Sequence, residues 1–161
     1  MDLGTVVTAA IMLAVCVLPF VLMNRKKQKR MKHLKQTFND FAKENNQSIG
    51  EFDICGEIMI GLDATASTLL FIKENNISDL RVNVEIKNIA HISIEKINFE
   101  ESSNFVKIAL SIQLKGNNSK LIELILFDTT NRMQLDGELQ LAEKWHKKIQ
   151  EMLNSQPAKV A

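Results

Sequence analysis

Three histidines, two cysteines and a scattering of acids, with no tyrosine, are the material from which any chemistry in this chain would be built. His33 lies among lysines, His91 sits inside an apolar stretch, and His146 follows Trp145. None belongs to an H-x-x-x-H, H-E-x-x-H or C-x-x-C pattern, the spacings that aim two donors at one metal ion. Cys55 has no histidine near it in sequence and reads as a small strand hydrophobe. The six glycines form no G-x-G-x-x-G and no phosphate-cradling loop. Glu100 and Glu101 read as a solvated loop pair. The expectation is a non-catalytic protein with no cofactor and no metal.

The elements that would position a functional surface begin with the N-terminus. From Gly4 to Met23, twenty residues pass without a charged side chain. As a helix they reach ~30 Å, the thickness of a bilayer's hydrocarbon core. A cleaved signal peptide would need a positive leader and a small-residue cleavage site, whereas Asp2 is the only charge ahead of this run. Leu13-Ala14-Val15-Cys16 is a poor lipoprotein box, with Val before the cysteine. The run therefore reads as an uncleaved transmembrane anchor over residues 1–24, mildly kinked at Pro19.

Arg25, Lys26, Lys27, Lys29, Arg30, Lys32 and Lys35 follow, with no acid before Asp40. This collar is the candidate membrane-surface contact, at roughly 1 kcal/mol per basic residue near an anionic leaflet. Its one-sided placement predicts a single-pass protein of the cell (inner or plasma) membrane, N-terminus outside and C-terminal domain cytoplasmic. Residues 36–161 carry a net −5 beside the whole-chain +1, a balance that repels nucleic acid. Cys16 and Cys55 offer no disulfide framework, which suits a reducing compartment.

Beyond the collar, Met31, Leu34, Phe38 and Phe41 form a stripe at helical spacing, and Asn45, Asn46, Ser48 and Gly50 end the helix. Residues 25–48 thus form a basic juxtamembrane amphipathic helix. The period then changes to two. Strands are predicted at Ile49–Cys55, Glu57–Leu62, Thr68–Lys73, Leu80–Glu85, Ala90–Ile97, Phe105–Lys115 and Lys120–Phe127. The last two make a hairpin around Gly116-Asn117-Asn118, because Val106, Ile108, Leu110, Ile112 and Leu114 alternate with polar or small residues. Leu135, Leu139, Ala142, Trp145, Ile149 and Met152 then mark a closing amphipathic helix, and residues 154–161 read as a disordered tail.

Seven antiparallel strands and a closing helix, the passage Val84-Glu85-Ile86-Lys87-Asn88-Ile89-Ala90-His91-Ile92-Ser93-Ile94, and Trp145 on that helix together resemble the bacterial pleckstrin-homology-like (PH-like) domains over residues 49–153. The resemblance implies an α+β fold after the N-terminal helix: a seven-stranded, nearly closed sandwich or barrel whose open end the C-terminal helix plugs with Trp145. It does not carry phosphoinositide recognition. Family members that bind those lipids place cations on the first two strands, whereas here no Lys or Arg occurs from Glu44 to Ile72, and Glu51, Asp53, Glu57 and Asp63 stand instead.

The chain reads as a membrane-anchored cytoplasmic interaction module or scaffold. Its partners would be membrane lipids, through the anchor and collar, and a protein or its own copies, met at a strand edge or the acidic first strand. Two alternatives stay open: a sensor of the anionic membrane surface, and a small accessory subunit of a membrane complex.

Overall fold

Helix α1 runs unbroken from Leu3 to Glu44, 42 residues that include Pro19, for a length of about 63 Å. The computed structural model describes residues 3–65, 67–74, 79–98, 105–116, 120–130 and 134–155; within α1 it describes side chains at Met12, Leu13, Val15, Cys16, Val17, Arg25 and from Gln28 onward. Glu100, Glu101 and the central Asn117-Asn118 of the expected hairpin turn lie outside the described residues, as does the end of the tail, 156–161. The chain divides into two compact units, Met1–Asp40 and Phe41–Ala161.

The α1 stripe shows in burial: Leu34, Phe38 and Phe41 are buried, whereas Lys32, His33, Lys35, Gln36, Asn39 and Asp40 are exposed. The helix stops at a Schellman turn. Asn46 takes a positive φ of 55°, its N–H donates to the Lys43 carbonyl at 2.9 Å, and the Gln47 N–H donates to the Ala42 carbonyl at 2.8 Å. Asparagine tolerates that left-handed position, so it ends the helix without a glycine. Gly50, expected to help end the helix, lies inside the first strand instead. A Cβ there would stand 2.9 Å from the Asp63 carbonyl oxygen, a backbone atom that cannot step aside.

Seven strands follow among the described residues: β1 (Ile49–Cys55), β2 (Ile58–Asp63), β3 (Thr68–Lys73), β4 (Leu80–Glu85), β5 (Ile89–Asn98), β6 (Phe105–Leu114) and β7 (Leu121–Asp128). They do not close into one barrel. They form two separate antiparallel sheets, ordered β1-β2-β3-β4 and β5-β6-β7. After β4 a 3-10 turn at Ile86–Asn88 redirects the chain, and β5 pairs onward with β6. The closing helix, α2, spans Glu138–Ser155. Leu135, expected as its first apolar position, precedes it and packs half-buried on the core.

The core lies between the sheets. Ile58, Ile60, Leu62, Leu69 and Phe71 from the first meet Ile92, Ile108, Leu110, Ile112 and Leu124 from the second, together with Ala142, Trp145 and Ile149 of α2. Trp145 is wholly buried. β2 and β3 are buried on both faces, since Met59, Leu70 and Ile72 are also inaccessible. Their sequences are accordingly continuous apolar runs rather than alternations. In the second sheet, Ile108 pairs Phe127 while the next residue, Ala109, pairs Ile125, so Leu126 is an extra residue on β7. This bulge turns both Leu126 and Phe127 into the core.

Two stability outcomes follow. Trp145→Ala removes the largest wholly buried side chain and is expected to cost about 3–5 kcal/mol in denaturant unfolding. Gly50→Ala, at a surface-exposed position, is expected to destabilise by at least about 1 kcal/mol in the same assay.

Candidate functional site: a basic helix segment and an occupied acidic strand

The collar lies wholly on α1. Arg25, Lys29, Arg30, Lys32 and Lys35 are exposed, and the side chains of Lys26 and Lys27 lie outside the described residues. At ~100° per residue, Lys29 and Lys32 lie opposite the stripe of Met31, Leu34, Phe38 and Phe41, while Arg30 and Lys35 border its two edges. The same segment therefore presents charge on one side and buried apolar side chains on the other.

The acidic first strand is not an open surface. β1 alternates, so Glu51, Asp53 and Cys55 share one side, and α2 meets them there. Asp53 Oδ2 accepts both the Trp145 indole Nε1–H at 2.9 Å and the Lys144 ammonium at 2.6 Å. Glu51 accepts from Lys148, whose Nζ also sits 5.7 Å from the centre of the Trp145 ring. The Cys55 thiol donates to the Asp136 carbonyl at 3.4 Å, next to the start of α2. The other flank of α2 grips β5: Lys96 pairs Glu143 at 3.0 Å, and His146 Nε2–H donates to the Ile92 carbonyl at 3.2 Å. The helix is thus pinned to one edge strand of each sheet.

Asp63 is likewise internal. Its Oδ1 accepts the Ser67 and Thr68 backbone N–H groups at 2.7 and 2.8 Å, and its Oδ2 accepts the Thr65 hydroxyl at 2.5 Å. Burial alone would raise its pKa, but these donors outweigh it and hold the carboxyl below the usual value. Asp128 is also lowered, first by the Thr130 backbone N–H and then by the Thr130 hydroxyl. Lys144 is raised, chiefly by its hydrogen bond to Asp53.

A small cleft opens where β2 and β3 approach β7, lined by Glu57, Lys73, Asp128 and Glu138 among others. Its charges serve the fold. The Lys73 ammonium donates to the Ile125 carbonyl of β7 at 3.0 Å, and buried Glu138 accepts the Asp136 N–H at 2.6 Å. Among the described residues, no group of three or more His, Cys, Asp or Glu side chains is placed to hold a metal ion. The histidines are not brought together: His33 is exposed on α1, His91 is exposed on β5, and His146 caps a strand carbonyl.

Sequence reasoning located the collar but missed the Asp53–Trp145–Lys144 cluster, whose members lie 91 and 92 residues apart. Its trace in the sequence is the pairing of a lysine-free acidic strand with a helix flank bearing Lys144 and Lys148. The chain matches no protein-family model, no curated protein and no solved structure.

The shifts set two pH limbs. Asp63 is lowered in the fold, so its contribution is complete above the unfolded value near 3.8 and is lost as pH falls through the folded one. Asp63→Asn is therefore expected to melt below the parent at pH 7, with the gap narrowing in acid below about pH 3.8. Lys144 is raised, so its contribution is complete below 10.5 and fades as pH climbs through the folded value. Lys144→Met should reduce the melting loss above that pH. Thermal melts across both ranges check both statements.

Proposed function

We propose that this chain is a single-pass, membrane-anchored interaction module, with residues 1–24 crossing the bilayer and the sheet domain on the cytoplasmic side. Among the described residues no helix is long and apolar enough to cross a membrane. The described side chains cover only part of the uncharged run from Gly4 to Met23. The observation that carries the reading is what is described there. Met12, Leu13, Val15 and Val17 are 51–72 % exposed on a helix that continues into the exposed cations of the collar. Large apolar side chains left bare on consecutive turns need a covering phase, and hydrocarbon bounded by a basic collar fits that need.

The domain is read as PH-like, supported by two antiparallel sheets followed by a helix that buries its tryptophan between them. Its role is binding rather than catalysis. The polar side chains at the first strand, the β2–β3 turn and the cleft hold the fold together. The module meets a protein partner at a strand edge. A second reading, a sensor of the anionic surface, draws on the exposed arc of Lys29, Arg30, Lys32 and Lys35.

Alkaline carbonate extraction of cells expressing the full chain with a C-terminal tag tests the anchor. The protein is expected to stay with the membrane pellet, and the tag to resist protease until the cells are opened. A soluble full-length product, or a mature chain starting beyond Met23, would reject it. Replacing Lys26, Lys27 and Lys29 by Glu separates the two readings. Interaction through the domain leaves the co-purifying proteins unchanged, while surface sensing changes them.

A further inference from the structure

We infer that the free edge of β4 is a self-association site, and that its occupant is β4 of a second copy of this chain, paired antiparallel about Asn83. The inference deepens the interaction reading above and rests on it. β4 is terminal in its sheet, and no strand among the described residues pairs beyond it. The other three edge strands each carry a cross-element side-chain hydrogen bond: β1 to α2, β5 through His146 on the Ile92 carbonyl, β7 through Lys73 on the Ile125 carbonyl. β4 shows exposed Leu80, Arg81, Asn83 and Glu85, and its contact to another element is the loose, solvent-exposed pair of Arg81 with Glu44 of α1 at 3.9 Å.

The Ile86 N–H donates to the Ser67 carbonyl at 2.8 Å, in the same register as the pairs Thr68–Glu85 and Leu69–Val84. Antiparallel ladders alternate between hydrogen-bonded and non-hydrogen-bonded pairs. Val84, Val82 and Leu80 therefore bond to β3, and Glu85, Asn83 and Arg81 turn their N–H and C=O groups to the open edge.

A twofold axis at Asn83 sets Asn83 opposite Asn83 of the second copy and Arg81 opposite its Glu85. All of these are outward-bonding positions, so every pair is hydrogen-bonded and the ladder closes without a bulge. Val82 falls opposite Val84, both non-hydrogen-bonded, as the alternation requires. Charges on an edge strand ordinarily keep other strands away. Here the two charges are of opposite sign at symmetry-related positions, so they attract across the axis, twice per dimer. Their present partners are exposed and exchangeable: Asp79 and Glu44 at 3.8 and 3.9 Å from Arg81, and Lys87 and Asn88 at 3.0 Å from Glu85. The dimer would join two four-stranded sheets into one of eight, and confinement to a membrane raises the effective concentration of the copies.

The test is oxidative crosslinking of the full chain in membranes, in a Cys16→Ser, Cys55→Ser background. Asn83→Cys places two thiols on a pair about 5.5 Å apart at Cα, within disulfide range. It is expected to give a disulfide-linked homodimer, while Gln113→Cys, exposed on β6, gives none. Adding Arg81→Glu sets like charges across the axis and should cut the dimer yield by roughly tenfold. Adding Glu85→Arg as well should restore it, a rescue that simple unfolding would not show. Equal crosslinking at Gln113→Cys, monomer only at Asn83→Cys, or an adduct of Asn83→Cys with a different protein overturns the inference. If Arg81→Glu fails to reach the membrane, the Asn83→Cys and Gln113→Cys pair alone decides. A membrane-retained chain without the crosslink sinks this inference and leaves the anchor standing; a soluble chain sinks the anchor.

Discussion

The Asp53 carboxylate ties the buried tryptophan of the closing helix to the first strand. Asp53 accepts one hydrogen bond from the indole of Trp145 and another from the ammonium of Lys144, one turn-face of α2 against one edge of β1. The indole body is wholly buried among residues of both sheets, so its N–H must find an acceptor at the rim of the core. Asp53 supplies it, and the neighbouring Lys144 balances the negative charge. With Trp145 seated, Ala142 and Ile149 on the same face are seated too, and the gap between the sheets is filled. Each flank of the helix then finds an edge strand to grip, Lys148 on Glu51 and Glu143 on Lys96. Among the described residues the two sheets share no ladder, so this wedge, the apolar faces around it and the Lys73 hydrogen bond to the Ile125 carbonyl hold them together.

Much of this architecture was legible in the sequence because burial writes itself as periodicity. Strict alternation from Val106 to Leu114 marked β6, and turn residues bounded β1, β3 and β4 at the positions where those strands begin and end. The two-sided burial of β2 and β3 went unread behind the period of two expected for all seven strands, although Ile58–Leu62 and Leu69–Ile72 hold no polar side chain. What also escaped was everything that depends on partners distant in the chain. The division into two sheets is decided by which strands find hydrogen bonds after the turn at Ile86–Asn88, and alternation says nothing about that. The extra residue in β7 escaped for a related reason: Leu124, Leu126 and Phe127 all read as apolar, and only pairing with β6 reveals that two consecutive ones face inward.

The site shows the same division. The basic collar on α1 is a local charge pattern and was readable at once. The acids of the first strand were readable as unfit for a polyphosphate, but their occupation by Lys144, Lys148 and Trp145 was not, so β1 looked more available to partners than it is. Asp63 stood in the sequence only as one of four acids between Glu44 and Ile72; its carboxylate is a turn staple, satisfied by Ser67, Thr68 and Thr65. Spacing reveals a helix face or a metal pair, but it cannot show that a charge has turned inward to bind its own loop.

The unpaired residue at Leu126 has a wider consequence for how this hairpin can go wrong. A regular two-stranded ribbon can slide by two residues and keep every side chain on its proper face. β7 can do so only if its bulge travels with it, because its inward set changes phase between Leu124 and Phe127; a slip that irons the bulge out strands a large apolar group in water or drives Ile125 inside. The irregularity therefore acts as a notch that penalises alignments in which it is lost. In a hairpin whose apolar residues would otherwise tolerate several, that notch is a safeguard against mispaired, aggregation-prone forms.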